Sequence, residues 1–125
     1  MRTKWTAIEW VSRSLAVAAV GLIPWMVLLS RTLPDETQVQ NWNRAWVGLD
    51  VLLAAGCLVT ALLAQRGDER VRVAAAATGA VALLDAWFDI TTSVSMAAFA
   101  QAVACAVGEL LLTVACCYLA LRPRE

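Results

Sequence analysis

From Val73 to Leu121 the chain runs for 49 residues without a lysine or an arginine. As one helix that stretch would be about 73 Å long at about 1.5 Å per residue, against a bilayer hydrocarbon core of about 30 Å. It must fold back on itself. The polar, β-branched cluster Thr91-Thr92-Ser93-Val94-Ser95 is the place for the turn. Two more stretches have the same character. Ser14 to Ser30 carries no charge, and Glu9 and Arg13 at its start can snorkel to the interface. Ala45 to Gln65 carries one charge, Asp50. The reading is an all-α, integral membrane four-helix bundle, with spans at about 8–30, 45–65, 72–91 and 97–121 in a single transmembrane domain covering residues 1–125.

Composition agrees. Apolar residues make up 61% of the chain and charged residues 16%, where soluble domains have about 45–50% and about 25%. Ten Lys+Arg balance ten Asp+Glu, so no net basic charge is available to hold nucleic acid. Histidine is absent, which removes the commonest metal ligand and the commonest general base near neutral pH. The basic start (Arg2, Lys4) could suggest a signal peptide. However, the apolar run is followed by Arg31-Thr32-Leu33-Pro34 rather than a small-x-small cleavage site, so the first segment reads as a true span, kinked at Pro24.

The basic residues set an orientation. With four spans, Arg2, Lys4, Arg13, Arg66, Arg70, Arg72, Arg122 and Arg124 fall on one side, and only Arg31 and Arg44 on the other. The positive-inside rule then makes the chain a multi-pass cell-membrane protein with both termini cytoplasmic (N-in/C-in), and Trp42 and Trp46 anchor the outer boundary.

Four carboxylates fall inside the spans: Asp50, Asp85, Asp89 and Glu109. Each would cost about 2.5–3.5 kcal/mol facing lipid at a helix centre, so they should face an interior, a watery cavity or a partner. Asp85 and Asp89, four residues apart, share a face of the third helix. Trp46, Asp50 and Cys57 share a face of the second. Gln101, Cys105, Glu109 and Thr113 form a polar stripe on the fourth. Asp50 and Asp89 lie near the outer edge, and Asp85 and Glu109 lie deeper. With Trp25, Trp42, Trp46, Trp87 and Phe88 in the outer half, the picture is a pocket of acids and aromatics opening outward. Arg44 is the cation placed to fold onto Asp50 or Asp89. Acids that exchange protons at mid-membrane serve proton-coupled transport, and acids with aromatic walls suit a cationic ligand. The plainer reading is that protonated acids hydrogen-bond between helices, with Thr60, Thr78, Thr113 and Gln101 as neighbours. For Asp50, hydration or pairing with Arg44 is the favoured role.

Other features carry less. Cys57, Cys105, Cys116 and Cys117 lie in spans without Cys-x-x-Cys spacing and read as small apolar residues. Gly48-Leu49-Asp50 with Cys57 echoes Gly108-Glu109 with Cys116, a hint of a duplicated helix pair. Ala100, Ala104 and Gly108, and likewise Ala75 and Gly79, form small-residue rows for close helix contact, within the bundle or with another copy or partner. No phosphate loop, nucleophile–base pair or metal-ligand set is visible, and no cofactor is implied.

Trp46-Val-Gly-Leu-Asp50, Asp85-Ala-Trp-Phe-Asp89 and Glu109 in the last span together resemble a family of small, functionally uncharacterised four-span membrane proteins of high-GC Gram-positive bacteria. The resemblance spans about 20–121 and implies the four-span topology, but no mechanism. Small multidrug exporters also have four spans, but their essential glutamate lies in the first span, where this chain has only Glu9 beside the cytoplasm.

Three functions follow as expectations. The first is a protein binding or transporting a cationic or amphiphilic small molecule, proton-coupled, through Asp85, Asp89, Glu109, Asp50, Trp46, Trp87 and Gln101. The second is an accessory or assembly subunit of a larger membrane complex, or a homo-oligomer. The third, an intramembrane enzyme using Asp85 and Asp89, ranks below both, because Asp-x-x-x-Asp lacks the further Asp, Gly and Arg positions of phosphate-metal lipid transferases.

Overall fold

The computed structural model describes residues 2–123, with side chains at 10, 13–18, 20–28 and 30–123. It contains four helices: α1 Arg2–Thr32, α2 Trp42–Gln65, α3 Val71–Thr91 and α4 Met96–Leu121. Among the described residues there is no strand. Every helix is long and apolar enough to cross a membrane. The side chains of Arg2, Lys4 and Glu9, and residue Arg124, lie outside the described residues.

Residues 1–40 and 41–125 form two compact units. In the first, α1 runs unbroken through Pro24. It begins well before the expected residue 8, because nothing between Arg2 and Arg13 breaks a helix; its apolar crossing segment is Arg13–Thr32. Hydroxyls inside it turn back onto their own helix: Ser14 donates to the Trp10 carbonyl and Ser30 to that of Val27, each at 2.8 Å. In lipid this satisfies the only donors those side chains have.

The second unit is a three-helix up-down-up arrangement with α3 in contact with both α2 and α4. Its turns follow from local chemistry. α2 closes on Gly67, whose φ of 64° is open to glycine without a Cβ clash. The Gly67 and Asp68 amides donate to the Ala64 and Leu63 carbonyls at 3.1 and 3.0 Å, the paired bonds of a Schellman cap. α3 ends where expected, at Thr91, and Ser95 caps α4 by accepting from the Ala98 amide at 3.1 Å.

The packing seams are lined with small residues. On α3 the buried set is Ala75, Thr78, Gly79, Ala82, Asp85 and Ala86; on α4 it is Ala102, Ala106 and Cys116; on α2 it is Thr60. Leu83, Leu84, Leu111, Val107 and Val114 point outward. Large apolar side chains outside and small ones between helices is the arrangement that suits lipid, where close backbone approach replaces hydrophobic burial as the source of helix association. A Cβ on Gly79 would stand 3.0 Å from the Cys116 Cβ, and one on Gly56 would stand 2.6 Å from Thr78 Oγ1. Beside Gly56 the Thr60 and Thr78 hydroxyls share a buried hydrogen bond at 3.2 Å.

The Ala75–Gly79 row thus sits in the α3–α4 seam, whereas Ala100, Ala104 and Gly108 are exposed, with nothing within 4 Å of a Cβ placed on Gly108.

Candidate functional site

The antiparallel register of α3 and α4 is fixed at one end by Arg72 Nε, which donates to the Ala120 carbonyl at 3.0 Å. Further along, the Thr113 hydroxyl donates to its own helix at Glu109 O (2.8 Å) and reaches Gly79 O across the seam at 3.4 Å. Carried two turns on, the same register sets Asp85 opposite Glu109. The α2–α3 register, fixed by the Thr60–Thr78 bond, brings Trp46 edge-on to Phe88 with ring centroids 6.4 Å apart. One turn below Trp46, Asp50 faces the same end of α3.

Three helices therefore gather four carboxyl groups. Asp50, Asp85, Asp89 and Glu109 all lie within one another's electrostatic reach, and Cys105 lies in the field of all four. Asp85 is 2% exposed, Asp89 and Glu109 are half-buried, and Asp50 is exposed. Asp85 and Glu109 act on one another's charge across the α3–α4 seam. Glu109 Oε2 is buried with no hydrogen-bond partner. Among the described residues no side-chain or backbone donor reaches any of the four carboxyls.

Arg44 does not fold onto Asp50 or Asp89. Among the described residues the ion pair formed is Arg70–Asp68, in the α2–α3 turn. Six helical positions separate Arg44 from Asp50, about 240° around the axis, so the guanidinium starts from a different face. Trp87 is 66% exposed and Gln101 is also exposed. Gln101 lies on an open face for a geometric reason. Steps of four residues drift about 40° per step around a helix with 3.6 residues per turn. The stripe Gln101, Cys105, Glu109, Thr113 therefore winds from an open face into the seam. The aromatic wall consists of Trp42, Trp46 and Phe88, with Trp42 and Trp46 edge-to-face at 5.5 Å. Of the adjacent aromatics on α3, Phe88 rather than Trp87 meets Trp46. The Gly56–Thr60–Thr78 contact that sets the α2–α3 register was visible beforehand only as a small residue one turn before Thr60.

Among the described residues, no three His, Cys, Asp or Glu side chains are close enough to hold a metal ion. A surface groove on the last turns of α4, lined by Val114, Cys117, Tyr118, Leu121, Arg122 and Pro123, shares no residue with the cluster. No protein-family model, curated protein or solved structure matches the chain.

Proposed function

We propose that the chain is an integral protein of the cell membrane that binds or transports a cationic or amphiphilic small molecule, coupled to protons, at the carboxyl cluster of α2, α3 and α4. One observation carries the reading: four carboxyl groups from three helices lie within electrostatic reach of one another with no basic partner and no protein donor among the described residues. Such a site is matched by an incoming cation or by protons, and the two compete for the same oxygens. The half-buried Trp46 and the Phe88 ring stand at the outer end of the cluster, next to Asp50 and Asp89, where an entering cation would meet aromatic surface. Membrane placement draws support from four helices of sufficient length and from the outward-facing large apolar side chains. The positive-inside rule puts both termini and the Arg66–Arg72 turn in the cytoplasm, so the Asp50 and Asp89 end opens outward.

Binding of an organic cation, with octylammonium and tetraphenylphosphonium as probes, should strengthen as pH rises, because protons compete with it for the carboxyl oxygens. Asp85→Asn and Glu109→Gln should weaken binding and flatten that dependence. If neither probe binds at any pH, or binding is unchanged in both variants, the reading is wrong. A second reading, an accessory subunit or homo-oligomer, draws on the exposed Ala100–Ala104–Gly108 row. Native mass spectrometry of protein extracted from its own membranes separates the two. A stoichiometric larger partner favours the subunit; a retained small molecule favours the binder.

A further inference from the structure

The groove on the last turns of α4 is apolar along its length and cationic at its end. Val114, Cys117, Tyr118 and Leu121 are spaced so that they share one face of the helix. All four are exposed. The helix stops at Leu121 because Pro123 disfavours the α conformation in the residue before it. Arg122 accordingly leaves the helix at φ −57° and ψ 139° and lines the end of the groove. From Val114 to Arg122 the rise is about 12 Å, most of one leaflet of a hydrocarbon core about 30 Å thick. The groove measures about 560 Å³, room for more than a single ion. Arg122 stands in no ion pair among the described residues. A second guanidinium stands close by: Arg72 Nε donates to the Ala120 carbonyl at 3.0 Å, which offsets the negative end of the α4 dipole. At this end of the α2–α4 unit Arg66, Arg70, Arg72 and Arg122 outnumber Asp68 and Glu69, and Arg70 is the one paired with Asp68.

A free anion would use the guanidinium and leave the apolar face bare. A purely apolar chain would cover that face and leave the guanidinium unanswered. A phospholipid with an acidic headgroup matches both, in the order in which the groove presents them. Its phosphate accepts from the N–H fork of Arg122, and its acyl chain runs inward past Leu121 and Tyr118 to Val114. A zwitterionic headgroup would instead bring an ammonium up to the same arginines. We propose that the groove seats an anionic phospholipid, with the headgroup phosphate on Arg122 and one acyl chain along the Leu121–Val114 face. This goes beyond the cation-binding reading and rests only on the membrane placement of the chain.

The test is native mass spectrometry of the full chain released from nanodiscs of equimolar phosphatidylglycerol and phosphatidylcholine with identical acyl chains. The retained lipid should be phosphatidylglycerol by about five-fold, the scale of one arginine at an anionic headgroup. Arg122→Gln should bring the two lipids near parity. Arg66→Gln removes the same charge from the same end without lining the groove, and should keep most of the preference. Val114→Trp, which fills the groove, should lower the amount of lipid retained. Val114, Arg66 and Arg122 are all exposed, so these variants are expected to keep the fold. Equal loss of preference in Arg66→Gln and Arg122→Gln would trace it to diffuse surface charge and overturn the groove site. Equal retention of the two lipids by the parent chain, or retention of neither, would overturn it too, and a lipid-free dimer would give the groove to a second copy. A chain that stays outside the nanodiscs would overturn the membrane placement and this proposal with it. Asp85→Asn should leave the lipid preference unchanged, so failure of the cation site and failure of the lipid site read out separately.

Discussion

Asp68 and Asp85 are both aspartates, and their neighbours give them unrelated roles. Asp68 lies in the turn between α2 and α3. Its Oδ1 accepts the Arg70 amide at 2.9 Å, and the Arg70 guanidinium bridges both oxygens, closest at 2.7 Å. The guanidinium hydrogen bonds first, then the backbone N–H, lower its pKa from 3.8 to about 2. A carboxyl whose folded-state pKa is depressed stabilises the fold fully above its unfolded value, and that contribution disappears as pH falls through the folded one. The Asp68 clamp on the turn is therefore expected to be intact above about pH 4 and lost toward pH 2. An NMR titration in micelles should place its midpoint near 2 in the parent chain and near the ordinary aspartate value in Arg70→Gln. An unmoved midpoint in that variant would assign the shift to something other than the guanidinium. Asp85 has no such partner among the described residues. The sequence identified it through its distance from the charged ends of its helix and its spacing from Asp89. The same logic could not separate Trp87 from Phe88. The two are neighbours about 100° apart on one helix, and only the position of Trp46 on another helix decides which one joins the site.

At the level of elements, the helices were legible because charge marks their ends. α2, α3 and α4 begin and end within a few residues of the limits set by charge and turn chemistry. Which face of each helix is buried was less legible. The chain has 24 alanines, so α4 carries two small-residue rows, Ala100–Ala104–Gly108 and Ala102–Ala106. Composition gives no reason to prefer one. The choice is made by Glu109 and Thr113, which share the second face and find Asp85 and Gly79 across the seam. The two glycines test this. A Cβ on Gly79 would crowd the Cys116 Cβ at 3.0 Å, an atom attached directly to the facing backbone, so the helices must part. Gly79→Ala should cost about 1–3 kcal/mol. Gly108→Ala meets open space and should be neutral or stabilising by up to about 1 kcal/mol through helix propensity. Thr78→Val removes the buried partner of Thr60 and should cost on the order of 0.6 kcal/mol, the usual scale for hydrogen bonds between membrane helices. Reversible unfolding in mixed micelles would measure all three; a Gly108 variant less stable than the Gly79 variant would mean the wrong seam has been assigned.

The whole molecule turns on its orientation, because the acids serve an outward-facing site only if the Trp46 and Asp50 end of the α2–α4 unit faces outside. The charge argument sets three groups of basic residues, at the N-terminus, at Arg66–Arg72 and at the C-terminus, against Arg31 and Arg44 alone. Within the α2–α4 unit, the structure places the Arg70 and Arg72 turn at one end and the Trp42, Trp46 and Phe88 aromatics at the other, so the orientation of one end fixes that of the other. Thr37, between α1 and α2, reports the aromatic side, and Asp68 the arginine side. In a chain with Cys57, Cys105, Cys116 and Cys117 replaced by alanine or serine, Thr37→Cys should react in intact cells with a membrane-impermeant maleimide. Gly67, in the turn with Asp68, must keep its positive φ, so the cytoplasmic reporter is Glu69→Cys, which should react only after permeabilisation. The reverse pattern would put the carboxyl cluster on the cytoplasmic side. On the proposed function, the site would then take its cation from the cytoplasmic side.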